Sequence, residues 1–387
     1  MKKRWASMAA VLTAVCLLNG CAAMNKEYVS VKDYVPSVQE QSTADGKINV
    51  RNYNALRQAL LSMAYAGETE GSIVFDAAYD GDATEDMASA CWAVRTQDAL
   101  CAYCVENIAY ELNRIVTINE ASVYISYSEK TASPHEIAHL AFSSEAEDEI
   151  EQALKNGERR IALLVGRSGF TADDMAAAVI RTYRENPTIV PREPRTNVTI
   201  YSGTGSQRLY EISFNYGMTP EELGEKRERL QALKLFEDDG TAELDEVDRA
   251  YAACVYLMEN CTLTDSTSAN NAYAALVERE ADSEGVAFGY VELCRRLDLD
   301  CQIVYGQRDW QDHCWNIVRL NGSYYHVDVS RAMEGDVRGG FMLSDERTWG
   351  TYRWDVSSYP RCTGELVYDF DESAGLGEEP AGGEAVL

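Results

Sequence analysis

The sequence predicts an α+β protein. Leu56, Leu60 and Met63 recur at helical spacing within Tyr53–Tyr65, and Val123, Ile125 and Tyr127 alternate as in a strand within Ala121–Ser128. Asn321-Gly322 is a strong short hairpin signal further along the chain. Hydrophobic residues make up 46% of the 387 residues and charged residues 25%, enough for a sizeable core. With 26 Gly and 8 Pro, neither a collagen-like nor a Pro-rich chain fits.

The net charge is −28, from 63 acidic and 35 basic residues. Such a polyanion is a poor partner for nucleic acid, where phosphate binding needs clustered Lys and Arg. It is also repelled by anionic lipid, so membrane attachment has to come from an anchor. Lys2, Lys3 and Arg4 precede an apolar run from Ala9 to Leu18, too short to span a bilayer. The run ends in Leu18-Asn19-Gly20-Cys21, which resembles a bacterial lipobox with Cys21 as the lipidated residue. The expectation is a signal peptide over residues 1–20, a polar tether over 21–45, and an extracytoplasmic, membrane-anchored lipoprotein of a bacterium.

Residues 46–218 read as one α+β region. Asp173–Arg184 is helical in pattern, Pro187, Pro191 and Pro194 break the chain, and Val198–Tyr201 and Leu209–Tyr216 flank a Gly203-Thr204-Gly205 turn. Thr219, Pro220 and Glu222 form a helix start with a capping box, opening a connector over 219–241 whose helix reaches about Phe236. A second folded region occupies 242–362, and an acidic tail, expected to be mostly disordered, runs over 363–387. No repeat of fixed period is visible.

Of 11 Cys, Cys16 falls in the signal and Cys21 in the lipobox, leaving nine spread over the chain. Cys101-Ala102-Tyr103-Cys104 is a lone CxxC ahead of a strand pattern through Ile108, Tyr110 and Leu112, and reads as core thiols or a local disulfide. His135-Glu136-Ile137-Ala138-His139 matches the HExxH of zinc proteases, where both His share one helix face. Against that, Ser133 and Glu136 form a capping box that gives Glu136 a structural task, and a second cap, Ser144 to Glu147, restarts a helix soon after. No metal or cofactor is therefore expected.

The informative residues lie in the second region. Ala272–Glu278, Ala281-Asp282-Ser283-Glu284-Gly285 and Leu293–Cys301 are followed by Asp312-His313-Cys314-Trp315-Asn316 and by Ser323-Tyr324-Tyr325-His326-Val327-Asp328. These segments resemble the transglutaminase-like superfamily, the bacterial branch of the papain-like cysteine fold. Phe341–Asp345 is similar to the segment that follows the family's triad. The resemblance implies a nucleophile-position helix packed on an antiparallel sheet, with a catalytic set of Ser283, His313 and Asp328. His313 would be the base, Asp328 would orient it, and Trp315 and Tyr325 would pack beside the imidazole.

The nucleophilic Cys of the family aligns with Ser283. An alternative register puts Ala287 there, but only the Ser283 register keeps Leu293-Cys294 and Cys301 in step. Cys314 stands where the family has Ala, and the Trp-Asp usual after the last Asp is missing. A hydroxyl does not ionise beside an imidazolium as a thiol does. Ser283 can equally be a simple helix N-cap. The reading is a degenerate transglutaminase-like domain that binds a peptide, protein or cell-wall ligand. The alternative is weak Ser-dependent amide or ester hydrolysis or acyl transfer, and a zinc protease follows behind both.

Overall fold

A computed structural model describes residues 46–115, 118–167, 169–236 and 240–370. The signal, the lipobox with Cys21, the tether and residues 371–387 lie outside the described residues. The fold is α+β throughout.

The chain opens with strand β1 (Ile48–Asn52), and Asn52 caps helix α1 (Tyr53–Tyr65) by accepting the Ala55 N–H. β2 (Glu70–Asp80), helices α2 (Ala83–Gln97) and α3 (Ala99–Cys104), and β3 (Val105–Ile115) and β4 (Ile118–Tyr127) complete a first unit. Its sheet runs β1-β2-β4-β3, with β1 parallel to β2 and the other pairs antiparallel. Leu56, Leu60, Phe75, Met87, Leu100 and Val123 form its core. Cys101 and Cys104 both lie in the short helix α3, buried and as free thiols, so the CxxC is part of this packing.

A second unit repeats that topology. β5 (Ala138–Phe142), helix α4 (Ala146–Asn156), β6 (Arg160–Arg167), helix α5 (Ala172–Glu185), β7 (Arg195–Ser202) and β8 (Arg208–Asn215) give the order β5-β6-β8-β7. β5 is again parallel to β6 and the rest are antiparallel. The region expected to be one α+β unit is thus two units of matching topology. The sequence hides this because topology asks only for apolar residues at alternating or helical positions, not for the same residues.

Strand β6, in the middle of the second sheet, is buried on both faces, which is why Ile161–Val165 is a continuous apolar run. Ala162 and Leu164 face the first unit's core, while Leu163 and Val165 join a larger core shared with the C-terminal domain. Within that shared core Tyr183 of α5 meets Phe288 edge-to-face at 5.3 Å.

The Thr219 capping box forms as expected and starts α6 (Pro220–Gln231). The helix ends before Phe236, because the apolar Leu235 leaves the helical path to be buried in the shared core. Helix α7 (Glu246–Asn260) leads through the short strands β9 (Thr262–Leu263) and β10 (Glu280–Ala281) to helix α8 (Ser283–Arg296). A four-stranded antiparallel sheet follows, β13-β12-β11-β14, from β11 (Cys301–Arg308), β12 (Gln311–Leu320), β13 (Ser323–Val327) and β14 (Tyr352–Trp354). Asn321 and Gly322 both take positive φ (50° and 82°) in the turn between β12 and β13, the conformation an Asn-Gly hairpin needs. Residues 363–370 lie against the domain: Tyr368 is buried and stacks near Tyr251 at 4.5 Å, so this start of the acidic tail is packed, through its aromatic residues.

Candidate active-site cleft

The head of α8 is built by Asp282. Its carboxylate accepts the Gly285 N–H at 2.9 Å and makes it the N-cap, so Ser283 is the first helical residue and not the cap. Burial raises the Asp282 carboxyl, while the Gly285 and Glu284 N–H groups act the other way. Gly285 is required where it stands: a Cβ there would lie 2.2 Å from the Ala269 carbonyl oxygen. Glu284 accepts from the Tyr305 hydroxyl at 3.0 Å and from Asn270 Nδ2 at 3.1 Å.

Strand alternation sorts the residues of β12. Asn316 faces α8 and donates to the Ala287 carbonyl at 3.0 Å, and Cys314 packs on the same side. His313 and Trp315 point to the other face, where Trp315 joins Tyr352 and Trp354. The two rings stack at 6.2 Å and 18°. Tyr325 does not pack beside this imidazole. In β13 His326 takes the Trp315 face, which sends Tyr325 into the core shared with α8.

His313 Nε2 donates to Asp328 Oδ2 at 2.8 Å. The same oxygen accepts from the Tyr352 hydroxyl at 2.8 Å and from Arg308 Nη1 at 3.1 Å. The other oxygen accepts from Ser330 Oγ at 2.6 Å and the Arg331 N–H at 3.1 Å, capping helix α9 (Val329–Met333). Burial alone would raise the Asp328 carboxyl, but the bonds from His313 and Ser330 and the Arg308 charge hold it well below the usual carboxylate range. Arg308 is held in turn by Glu334 at 2.8 Å. Asp328 therefore ties β11, β12, β14 and α9 together.

The structure thus joins His313 to Asp328. It makes no hydrogen bond between Ser283 and His313 among the described residues. Asp282, Arg308, Ser330 and Tyr352 were not singled out from the sequence. Ser330 had a local signal, since it lies two residues beyond Asp328, and Asp282 stood beside Ser283 as a strong N-cap type. Arg308 and Tyr352 arrive from distant strands and had none.

Cys314 does not stand in for the missing thiolate. Burial first, then the Glu284 and Asp282 charges, push its thiol up to about 12. Cys294, on α8, is fully buried in the core.

The HExxH residues do not share a helix. Pro134–Glu136 is a single 3₁₀ turn with the Ser133–Glu136 capping box, and His139 already lies in β5. His135 packs over Gly67, and His139 meets Tyr65 edge-on at 5.9 Å. The second cap shifts as well: α4 starts at Ala146 after a 3₁₀ turn, with Glu145 binding back to the Ala141 N–H. His326, Asp345 and Cys362 do bring ligand-type atoms within 4.8 Å of one another. However, Trp315 Nε1–H can only donate, and it donates to His326 Nδ1 at 3.0 Å. That leaves the His326 proton on Nε2 toward Asp345, and burial raises the Cys362 thiol, so this donor set suits a hydrogen-bonded core better than a metal.

Residues 237–329 match the model of the Transglutaminase-like superfamily, and the chain carries a transglutaminase-like domain there. No curated protein matches the chain. Among solved structures it is similar to a TGase, at 10% identity and a TM-score of 0.26 over 50% of this chain and 59% of that one. A candidate cysteine protease from Cytophaga hutchinsonii follows at 12% identity and 0.20, over 35% and 62%. Menin, described with its binding site for the Mixed Lineage Leukemia protein, follows at 19% and 0.20, over 29% and 26%. The chain spans less than two thirds of each, and at such scores no feature of the site is carried over from them.

Proposed function

We propose that the transglutaminase-like domain is a binding module whose cleft at the head of α8 holds a peptide, protein or cell-wall ligand, on an extracytoplasmic lipoprotein anchored through Cys21. The observation that carries this is Asp282. An acyl-transfer site keeps the first N–H groups of its helix for the oxyanion of a tetrahedral intermediate. Here a carboxylate takes the Gly285 N–H and places negative charge beside Ser283, where both an oxyanion and an alkoxide would be repelled. His313 and Asp328 have work in this reading as well, because their hydrogen bond joins strands and helix around a buried charge.

The second reading, Ser-dependent acyl chemistry through Ser283, would use the His313–Asp328 pair at 2.8 Å as base and orienter, and it requires the imidazole to reach Ser283 from the sheet face opposite α8. A fluorophosphonate probe separates the two. The binding module gives no labelling at Ser283 in the purified protein. Labelling that is lost in both Ser283→Ala and His313→Ala replaces it with the hydrolase or acyltransferase.

A further inference from the structure

A cavity of ≈ 470 Å³ opens where the second α/β unit meets the head of α8, and Arg184, Arg192 and Arg195 all line it. Glu284, the neighbour of Ser283, forms part of the opposite wall together with Phe288. None of the ion pairs among the described residues uses these three arginines. Arg184 is stacked on the Tyr305 ring at 4.3 Å, which fixes its guanidinium while its buried Nε has no hydrogen-bond partner. The hydroxyl of the fully buried Tyr183 on the same wall has no hydrogen-bond partner of ordinary geometry, with the Glu193 backbone and the charges of Glu193, Glu284 and Arg192 around it.

We propose that this cavity binds the terminal carboxylate of a peptide and sets the orientation of the ligand held at the head of α8. The proposal rests on the binding reading and names the ligand's class. Guanidinium groups match a carboxylate in a two-bond fork. Three arginines against Glu193 and Glu284 leave one positive charge in the lining, which suits a single negative charge. A dianionic phosphate would face both carboxylates. Glu284 is held on the far wall by the Tyr305 hydroxyl and the Asn270 amide, one on each oxygen. Phe288, Tyr183 and Tyr216 supply apolar wall for the residue that carries the carboxylate.

The test is equilibrium dialysis of the purified protein with a pool of N-acetylated tripeptides bearing free C-termini, against the same pool amidated, read by mass spectrometry. The expected result is saturable retention of free acids and at least tenfold weaker retention of amides. Arg192→Ala with Arg195→Ala should lose the free acids at least tenfold at an unchanged melting temperature. Arg181→Ala, whose side chain pairs with Glu147 outside the cavity, should retain them. Equal binding of acids and amides, no binding of either, or displacement by inorganic phosphate more readily than by acetate overturns the proposal. Peptides that bind but ignore the arginines remove the pocket and keep the binding module. Fluorophosphonate labelling of Ser283 alongside arginine-dependent binding removes the module and keeps the pocket.

Discussion

The residue that most shapes this site is a carboxylate, and it is the one whose loss is easiest to forecast. Asp328 is 1% exposed and accepts five hydrogen bonds, one of them from the half-buried Arg308. Replacing it as Asp328→Asn leaves Arg308 with Glu334 alone and should cost about 3–5 kcal/mol in urea unfolding. Its folded pKa is lowered, so its contribution is complete above the unfolded value of about 3.9 and is lost as pH falls through the lower folded value. The wild type should weaken below about pH 4, and Asp328→Asn, although weaker throughout, should show a smaller slope there. At Ser283 the forecast turns on Asp282. Ser283→Cys should react with iodoacetamide near pH 7 no faster than an ordinary exposed thiol, because the capping carboxylate offsets the helix end. Adding Asp282→Ala should speed it about fourfold, the effect of removing one charge at ~5 Å in water. A fast single variant would mean that the cap does not govern this site.

Elements were legible where one local pattern decided them. Tyr53–Tyr65 is a helix from end to end, the Asn321-Gly322 hairpin forms, and the Thr219 box starts its helix. What misled was chemistry read without its partner: HExxH looks like one helix face, but the Pro134 turn spends its first residues and β6 recruits the rest as a strand. The pairing of Tyr325 with His313 failed for a related reason, since neighbours in a strand alternate faces. Of the candidate site, the His313–Asp328 contact was foreseeable from two motifs, whereas Arg308 and Tyr352 come from separate strands brought together only by the sheet. The helices also make opposite demands on glycine. In α8, Gly285→Ala would push a methyl against the Ala269 carbonyl and should destabilise by about 1–3 kcal/mol. In α6, nothing lies within 4 Å of a Cβ at Gly224, so Gly224→Ala should stabilise by about 0.5–1 kcal/mol. Urea titrations of the two variants should move in opposite directions.

At the scale of the molecule, two units of one topology carry a third domain, and the doubled arrangement was invisible in the sequence because nothing but the topology repeats. The charge of −28 bears on how such a molecule meets a membrane. Among the described residues no helix is long and apolar enough to cross one. An acidic surface is repelled by anionic lipid, so electrostatic adsorption works against association. If the Leu18-Asn19-Gly20-Cys21 motif is used, the attachment is the lipid chains on Cys21, held by about 0.8 kcal/mol for each buried CH₂. Hydrophobic attachment of that kind does not weaken with ionic strength. Membranes from expressing cells should therefore retain the protein through a 1 M salt wash, a salt level at which the Debye length is about 3 Å, and release it only to detergent. Cys21→Ala should leave it in the soluble fraction or as an unprocessed precursor. Processed Cys21→Ala protein that stays on membranes, or wild type that salt removes, would mean that the fold and not the lipid makes the contact.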